Sequence, residues 1–333
     1  MITEIRYKNF KSLRDSTLPL GRFTLIVGAN GTGKTTAMKA LKIAKEPKKN
    51  IWENVISINL LEDEREEVIL EIESFGKTVK IVWQADQHSG IGKFTHNVFG
   101  IGGFEEIEKA ISEFKIFNFD TNQIAGGVGI RPKVELDESG RGLAGVLDQL
   151  RDSNPEIFED LNRELNKWFC EYDRILFETP SDGVKSFLLR TTFGKNRIKA
   201  YDLSHGTLLA LAYLTIAYLP NPPKIVAFEE PERGIHPRLL RNIQEAMDRL
   251  AYPENYGEKR EPVQVIATTH SPYLLDLYKD RREEIVIADK DENGVHFERL
   301  TDLPNIEKIL QEQDAPLGDV WISGVLGGVP TQI

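Results

Sequence analysis

Eight consecutive residues constrain this chain more than any other stretch: Gly28-Ala29-Asn30-Gly31-Thr32-Gly33-Lys34-Thr35. The spacing is glycine, four residues, then Gly-Lys-Thr, set between an apolar run, Thr24–Val27, and a helical pattern over 34–45. A strand that turns on glycines into a helix lets backbone amides close around phosphate oxygens with no Cβ in the way. The helix start adds a favourable dipole. In that setting Lys34 neutralises phosphate charge and the Thr35 hydroxyl ligates Mg²⁺. A plain glycine-rich turn followed by a lysine is a remote alternative, because the flanking strand and helix are the context that confirms the motif.

The rest of the chain supplies elements to surround that loop. Residues 1–27 read as two short strands around a turn at Asp15–Gly21, with Ile2, Ile5, Tyr7, Phe23, Leu25 and Val27 as the apolar positions. Over 34–45, Met38, Leu41 and Ala44 share one helix face, and Lys39, Lys42 and Lys45 the other. Residues 67–84 give two strands joined at Phe75-Gly76-Lys77, and Glu105–Phe114 a short helix. The glycine-rich stretch 118–142 reads as loop. Helices follow over 143–152 and 156–172, the second opened by Asn154 and Pro155, and strand pieces over 174–200. From 203 onward helix and apolar strand alternate: Leu208–Leu219, Ile225–Phe228, Leu239–Leu250, Val263–Thr268. Such alternation predicts an α/β fold with a largely parallel sheet. Between 45 and 200 no sustained heptad pattern supports a long coiled coil.

Composition narrows the function classes. A net charge of −10 argues against indiscriminate coating of nucleic-acid phosphates. The one cysteine, Cys170, excludes an internal disulfide and a multi-cysteine zinc site, which suits a reducing cytoplasm. No leader-like start and no apolar run of about 20 residues is evident, so no membrane partner is expected.

Three further pieces carry chemistry. Ile225-Val226-Ala227-Phe228 ends in Glu229-Glu230, two carboxylates at the carboxyl end of a buried strand, where α/β sheets bind ligands. Glu229 is suited to hold Mg²⁺ through water, and Glu230 to orient attacking water as general base. A solvated acid pair at a helix start is the competing reading, and the P-loop makes it the weaker one. A second apolar strand runs into Thr268-Thr269-His270-Ser271-Pro272, and His270 is a candidate contact for the γ-phosphate. Leu203-Ser204-His205-Gly206 opens a helix, where serine and glycine make either an ordinary N-cap or an anion-binding surface.

In this order, P-loop, Leu-Ser-x-Gly, acidic strand end and histidine, the pieces resemble the ABC-class ATPases. Asn9-Phe10-Lys11-Ser12 resembles the N-terminus of the RecF, SMC and OLD branches. Glu229-Glu230-Pro231-Glu232, with Gly234-Ile235-His236-Pro237 and the His270 segment, is similar to the OLD-type branch, here without a Toprim nuclease domain. The resemblance covers two blocks, roughly 1–45 and 200–276. It implies an ABC-type P-loop ATPase head: a mixed sheet with an N-terminal antiparallel β lobe and a helical insertion. The head would be assembled from 1–100 and 200–300, with 101–199 as a helical and β insertion and 301–333 as a C-terminal tail.

The resemblance also implies roles. Gly28 to Thr36 form the Walker A loop, with Asn30, Gly31, Gly33, Lys34, Thr35 and Thr36 around ATP, and Lys11 and Ser12 counted with them. Thr35 and Glu229 hold Mg²⁺, Glu229 standing where an aspartate is usual. Glu230 is the catalytic glutamate and His270 the switch histidine. Ser204 and Gly206 form the signature that reads ATP on the other protomer, and Pro231 to His236 lie at the dimer seam. Gln84 and Gln123 are the candidates for the Q-loop glutamine. One protomer then cannot complete a site, and two chains sandwich two ATP molecules head to tail.

The expected function is ATP-dependent dimerisation that regulates a separate effector, a nuclease above all, in a bacterial anti-phage defence-type system. The residues after 276 are too few for a nuclease domain of typical size. The alternative is a RecF-like DNA repair ATPase, whose backbone contact with DNA would rest on Lys39, Lys42, Lys45, Lys48 and Lys49. A transporter motor ranks last, because Leu-Ser-Gly-Gly-Gln is replaced by Leu-Ser-His-Gly-Thr. The apolar stretch Val320–Pro330 either folds back on the core or docks a partner.

Overall fold

The computed structural model describes residues 1–45, 67–85, 94–101, 104–292, 294–313 and 315–329. The chain divides into two compact units, one made of 1–116, 224–229 and 264–333, the other of 117–223 and 230–263. No helix among the described residues is long and apolar enough to cross a membrane.

The first unit holds the antiparallel β lobe. Its strands lie in the order Leu13–Pro19, Glu4–Phe10, Val68–Ser74, Lys77–Ala85, Phe94–Ile101, each antiparallel to its neighbour. Phe75 and Gly76 both take positive φ (47° and 78°), the two-residue hairpin geometry that matches strand twist. The first hairpin corrects the sequence reading. Its turn sits at Lys11-Ser12, with Phe10 paired to Leu13, and Asp15–Pro19 is strand. Ser16 is the reason. It occupies a buried position that looks unfit for a polar residue, and its hydroxyl donates to the Val295 carbonyl.

The second sheet of this unit places Gly294–Arg299, Ile285–Asp291, Phe23–Val27, Gln264–Thr269 and Ile225–Glu229 side by side. The last four are parallel, as the alternating pattern predicts, and Gly294–Arg299 is antiparallel to its neighbour. Phe23–Val27 and Gln264–Thr269 are buried along their whole length, as strands covered on both faces are. The helix Lys34–Lys45 follows the loop. Its Ala37, Met38, Leu41 and Ala44 join a core with Ile5, Tyr7 and Ile72 of the β lobe and with Ile26, Ile266 and Val286. Lys39, Lys42 and Lys45 are exposed. Lys48 and Lys49 lie outside the described residues, as does the Gln84 side chain.

One buried amide fastens the sheet to the start of the chain. Gln264 accepts from the Ile2 amide at 2.8 Å and donates to the Ile2 and Gly21 carbonyls at 2.6 and 2.8 Å. Gln264→Leu strands three polar groups in the interior. The expected cost is about 3 kcal/mol, at roughly 1 kcal/mol or more per group. Urea unfolding should show it as an earlier transition, and a shift worth less than about 1 kcal/mol would contradict this account.

In the second unit, Tyr172–Ser181, Val184–Thr191 and Arg197–Lys199 form an antiparallel sheet. The helices Leu143–Ser153 and Pro155–Trp168 pack on its strands. The stretch 118–142 is not all loop. Asp120 caps a short helix, Thr121–Ala125, whose Ile124 is fully buried. The helix His205–Ala217 is buried on every side from Thr207 onward, while its first two residues reach the surface or near it. Leu240–Ala251 is amphipathic.

Candidate nucleotide-binding site

The loop after Phe23–Val27 is shaped by atoms remote in sequence. A Cβ on Gly28 would lie 2.4 Å from the Ala288 carbonyl and 2.8 Å from the Thr32 hydroxyl. No side chain fits there, so the chain passes tightly between neighbouring strands. Gly31 and Gly33 then take φ of 86° and 79°, the left-handed region that glycine enters at least cost. Thr32 donates to the Ala29 carbonyl and closes the turn. Lys34 is buried, and its Nζ donates to the Gly28 and Ala29 carbonyls at 2.6 and 2.7 Å. The ammonium therefore lies on the inner side of the loop. Asn30 and Gly31 are exposed, and Thr35 and Thr36 are half-buried at the helix start.

Strand register brings the other candidates to the same sheet edge. Thr269 pairs with Val27, and its carbonyl accepts from the Gly28 amide at 3.3 Å. His270, the next residue, is exposed. It is followed by Ser271, whose hydroxyl caps the short helix Pro272–Asp276. Thr268 pairs with both Ile26 and Glu229. Two strand spacings of ~4.8 Å put the Glu229 backbone about 10 Å from the P-loop strand. Its Oε1 is buried. Gly28, His270 and Glu229 thus leave three adjacent parallel strands at their carboxyl ends.

Glu230 follows at φ 46°, which is uncommon for any residue but glycine. It opens a turn in which the Arg233 amide donates to the Glu230 carbonyl. Backbone held this way is the kind of strain that accumulates at working sites.

Lys11 and Ser12 form the tight turn of the first hairpin, with Asn9 and Lys11 at φ 56° and 54°. Burial first, then the charge of Lys39, pushes the Lys11 ammonium below the usual lysine range. Two cations in proximity make this corner of the unit attractive to an anion.

The donor set fits a nucleotide with Mg²⁺. The loop offers backbone amides, one ammonium and the Thr35 hydroxyl, and Glu229 offers a carboxylate. Among the described residues no group of three or more His, Cys, Asp or Glu side chains could hold a metal by itself. Mg²⁺ commonly takes one or two protein ligands, completed by phosphate oxygens and water.

Ser204 and Gly206 lie in the second unit. Ser204 is exposed and accepts from the Thr207 amide at 3.1 Å as the cap of the buried helix. Around Gly206 there is room: an added Cβ would sit 3.7 Å from the Gly234 carbonyl, an ordinary contact. The fold itself does not require glycine there. Gln123 is exposed on the short helix Thr121–Ala125.

One partner of the loop is invisible to motif reading. The Ala29 amide donates to the Gly328 carbonyl at 2.6 Å. The only sequence signal is the glycine-rich, apolar character of the segment around Trp321.

Comparison with known proteins adds a family context. Residues 1–138 match a family described as AAA ATPase domain, and 144–276 one described as AAA domain, putative AbiEii toxin, Type IV TA system. A 63-residue stretch is 38% identical to an OLD nuclease from Thermus scotoductus. It spans 19% of this chain and 11% of that relative. An SMC head bound to the C-winged helix domain of ScpA superposes with a TM-score of 0.58 at 16% identity. It covers 92% of this chain and 99% of that one. The Pyrococcus furiosus SMC head with an extended coiled coil gives 0.54 at 14% identity, over 94% and 99%. At these identities the two superpositions speak for the fold.

Proposed function

We propose that the chain is an ABC-type ATPase of the OLD/RecF/SMC-like branch, which binds and hydrolyses ATP with Mg²⁺ as a head-to-tail dimer. In that dimer, ATP on the P-loop of one protomer meets Ser204 and Gly206 of the other. ATP then acts as interfacial glue, and hydrolysis loosens it. The observation that carries the reading is the meeting of the P-loop, Glu229 and His270 at one sheet edge. Lys34 holds phosphate charge, Thr35 and Glu229 hold Mg²⁺, Glu230 takes a proton from water, and His270 senses the γ-phosphate. When bound, Mg²⁺ neutralises charge that develops on the phosphates.

Dimerisation, in this reading, controls a separate effector, a nuclease above all, in a defence-type system. Support comes from the toxin–antitoxin description of the family matched at 144–276 and from the partial likeness to an OLD nuclease.

Gly206→Ala tests the shared site, because the fold has room for the methyl group. The variant should fold and bind a fluorescent ATP analogue as the parent does. Its ATP-induced dimer, followed by light scattering in a Glu230→Gln background, should weaken about tenfold or more, a 1.4 kcal/mol effect. Equal dimerisation would remove Gly206 from the interface. ATP-dependent binding of duplex DNA by the chain alone would favour a repair ATPase over the effector reading.

A further inference from the structure

Two places that nucleotide chemistry depends on, the P-loop and the segment behind His270, are joined by one stretch of chain. The helix Leu317–Ile322 buries Leu317, Val320 and Trp321 in the first unit, and Leu326 follows them inward. Its seat is the short helix after His270. The Gly318 amide donates to Asp276 at 2.7 Å, and a Cβ on Gly318 would lie 2.6 Å from the Pro272 carbonyl. The chain then turns through Gly324, Gly327 and Gly328, all at positive φ, and delivers the Gly328 carbonyl to the Ala29 amide at 2.6 Å. The Ala288 carbonyl is wedged between the two glycines: a Cβ would meet it at 2.4 Å from Gly28 and at 3.0 Å from Gly328.

This arrangement answers the question of where the apolar segment goes. It folds onto its own unit, while Ile322 and Val325 stay exposed. Its seating is incomplete in one respect. The Trp321 indole Nε1 is buried with no hydrogen-bond partner among the described residues, and it lies 3.4 Å from where a Gly328 Cβ would be. A buried donor without an acceptor opposes the apolar packing around it. The segment is therefore held firmly at its ends and less securely between them.

We propose that Leu317–Ile322 with Gly328 is a clamp that positions the P-loop: it ties Ala29 to the segment behind His270, so that clamp and nucleotide stabilise each other. The inference rests on the reading of Gly28–Thr36 as a phosphate-binding loop. Coupling of this kind is reciprocal. A clamp that holds the loop in its binding shape raises nucleotide affinity, and bound nucleotide makes the clamp harder to open.

The test uses the full chain with a fluorescent ATP analogue and Mg²⁺. Gly328→Ala brings a Cβ against Ala288, whereas Gly76→Ala imposes a similar left-handed demand (φ 78° against 69°) with nothing within 4 Å. Gly328→Ala should weaken nucleotide binding about tenfold, within the usual span of site-to-site coupling, and Gly76→Ala should leave it within about twofold. In parallel, ATP should slow hydrogen exchange over 317–329 in the unmodified chain, a readout that needs no variant. Equal affinities for the two variants, with exchange over 317–329 unmoved by ATP, would sink the clamp and leave the nucleotide site standing. Failure of the unmodified chain to bind the analogue would overturn both.

Discussion

Lys34→Ala should abolish useful nucleotide binding, with an affinity at least about a hundredfold weaker, near 3 kcal/mol. The magnitude follows from placement. Lys34 is 6% exposed, and its ammonium lies on the inside of the loop, 2.6 and 2.7 Å from two loop carbonyls. A charge-assisted hydrogen bond is worth about 1.5–3 kcal/mol, and a triphosphate facing this ammonium stands to lose more than one. The two carbonyls also lose their donor, so the variant should melt somewhat earlier without nucleotide. Titration calorimetry with an ATP analogue and Mg²⁺ measures the first effect. An affinity within about threefold of the parent would mean that the loop holds something other than phosphate.

Glu230→Gln should leave ATP binding intact and slow hydrolysis by about a hundredfold or more, the usual contribution of a positioned general base. Gln keeps the shape of Glu and cannot take a proton at neutral pH. Glu230 directly follows the strand that ends in Glu229, and its φ of 46° shows that the surrounding turn dictates its conformation. The dimer should then persist with ATP, because the step that loosens it is blocked. Single-turnover hydrolysis and light scattering read the two consequences separately. Unchanged turnover would take Glu230 out of the reaction. Glu229→Gln should differ, raising the Mg²⁺ concentration needed for half-maximal binding.

Much of the site was legible because its logic is local. The strand–glycine–helix order around Lys34 lies within about twenty residues, and the Phe75-Gly76 hairpin and the face of the helix 34–45 depend on near neighbours alone. The order of the acidic and histidine strands along the chain was readable as well. Their adjacency is set by register, which places Thr268 between Ile26 and Glu229.

The failures share a cause. Asp15–Gly21 looks like a turn because Asp15, Ser16 and Thr17 are polar, yet Ser16 is buried against a carbonyl 279 residues away. Gln264 is likewise a polar residue within an apolar strand, and it fastens Ile2, 262 residues distant. A polar residue is placed inside only when its partner is there, and no window of sequence contains that partner.

The sequence alone determined that a glycine-rich turn opens a helix, that carboxylates and a histidine end apolar strands, and that the chain is α/β. These are matters of backbone freedom and apolar period within a few residues. Only the tertiary structure decided that Gly28 must be glycine, because Ala288 crowds it, and that Ala29 is held by Gly328. Both depend on backbone atoms brought within 3 Å by strand register and by a turn nearly 300 residues downstream. Every residue carries the same carbonyl, so residue identity cannot say which one will arrive.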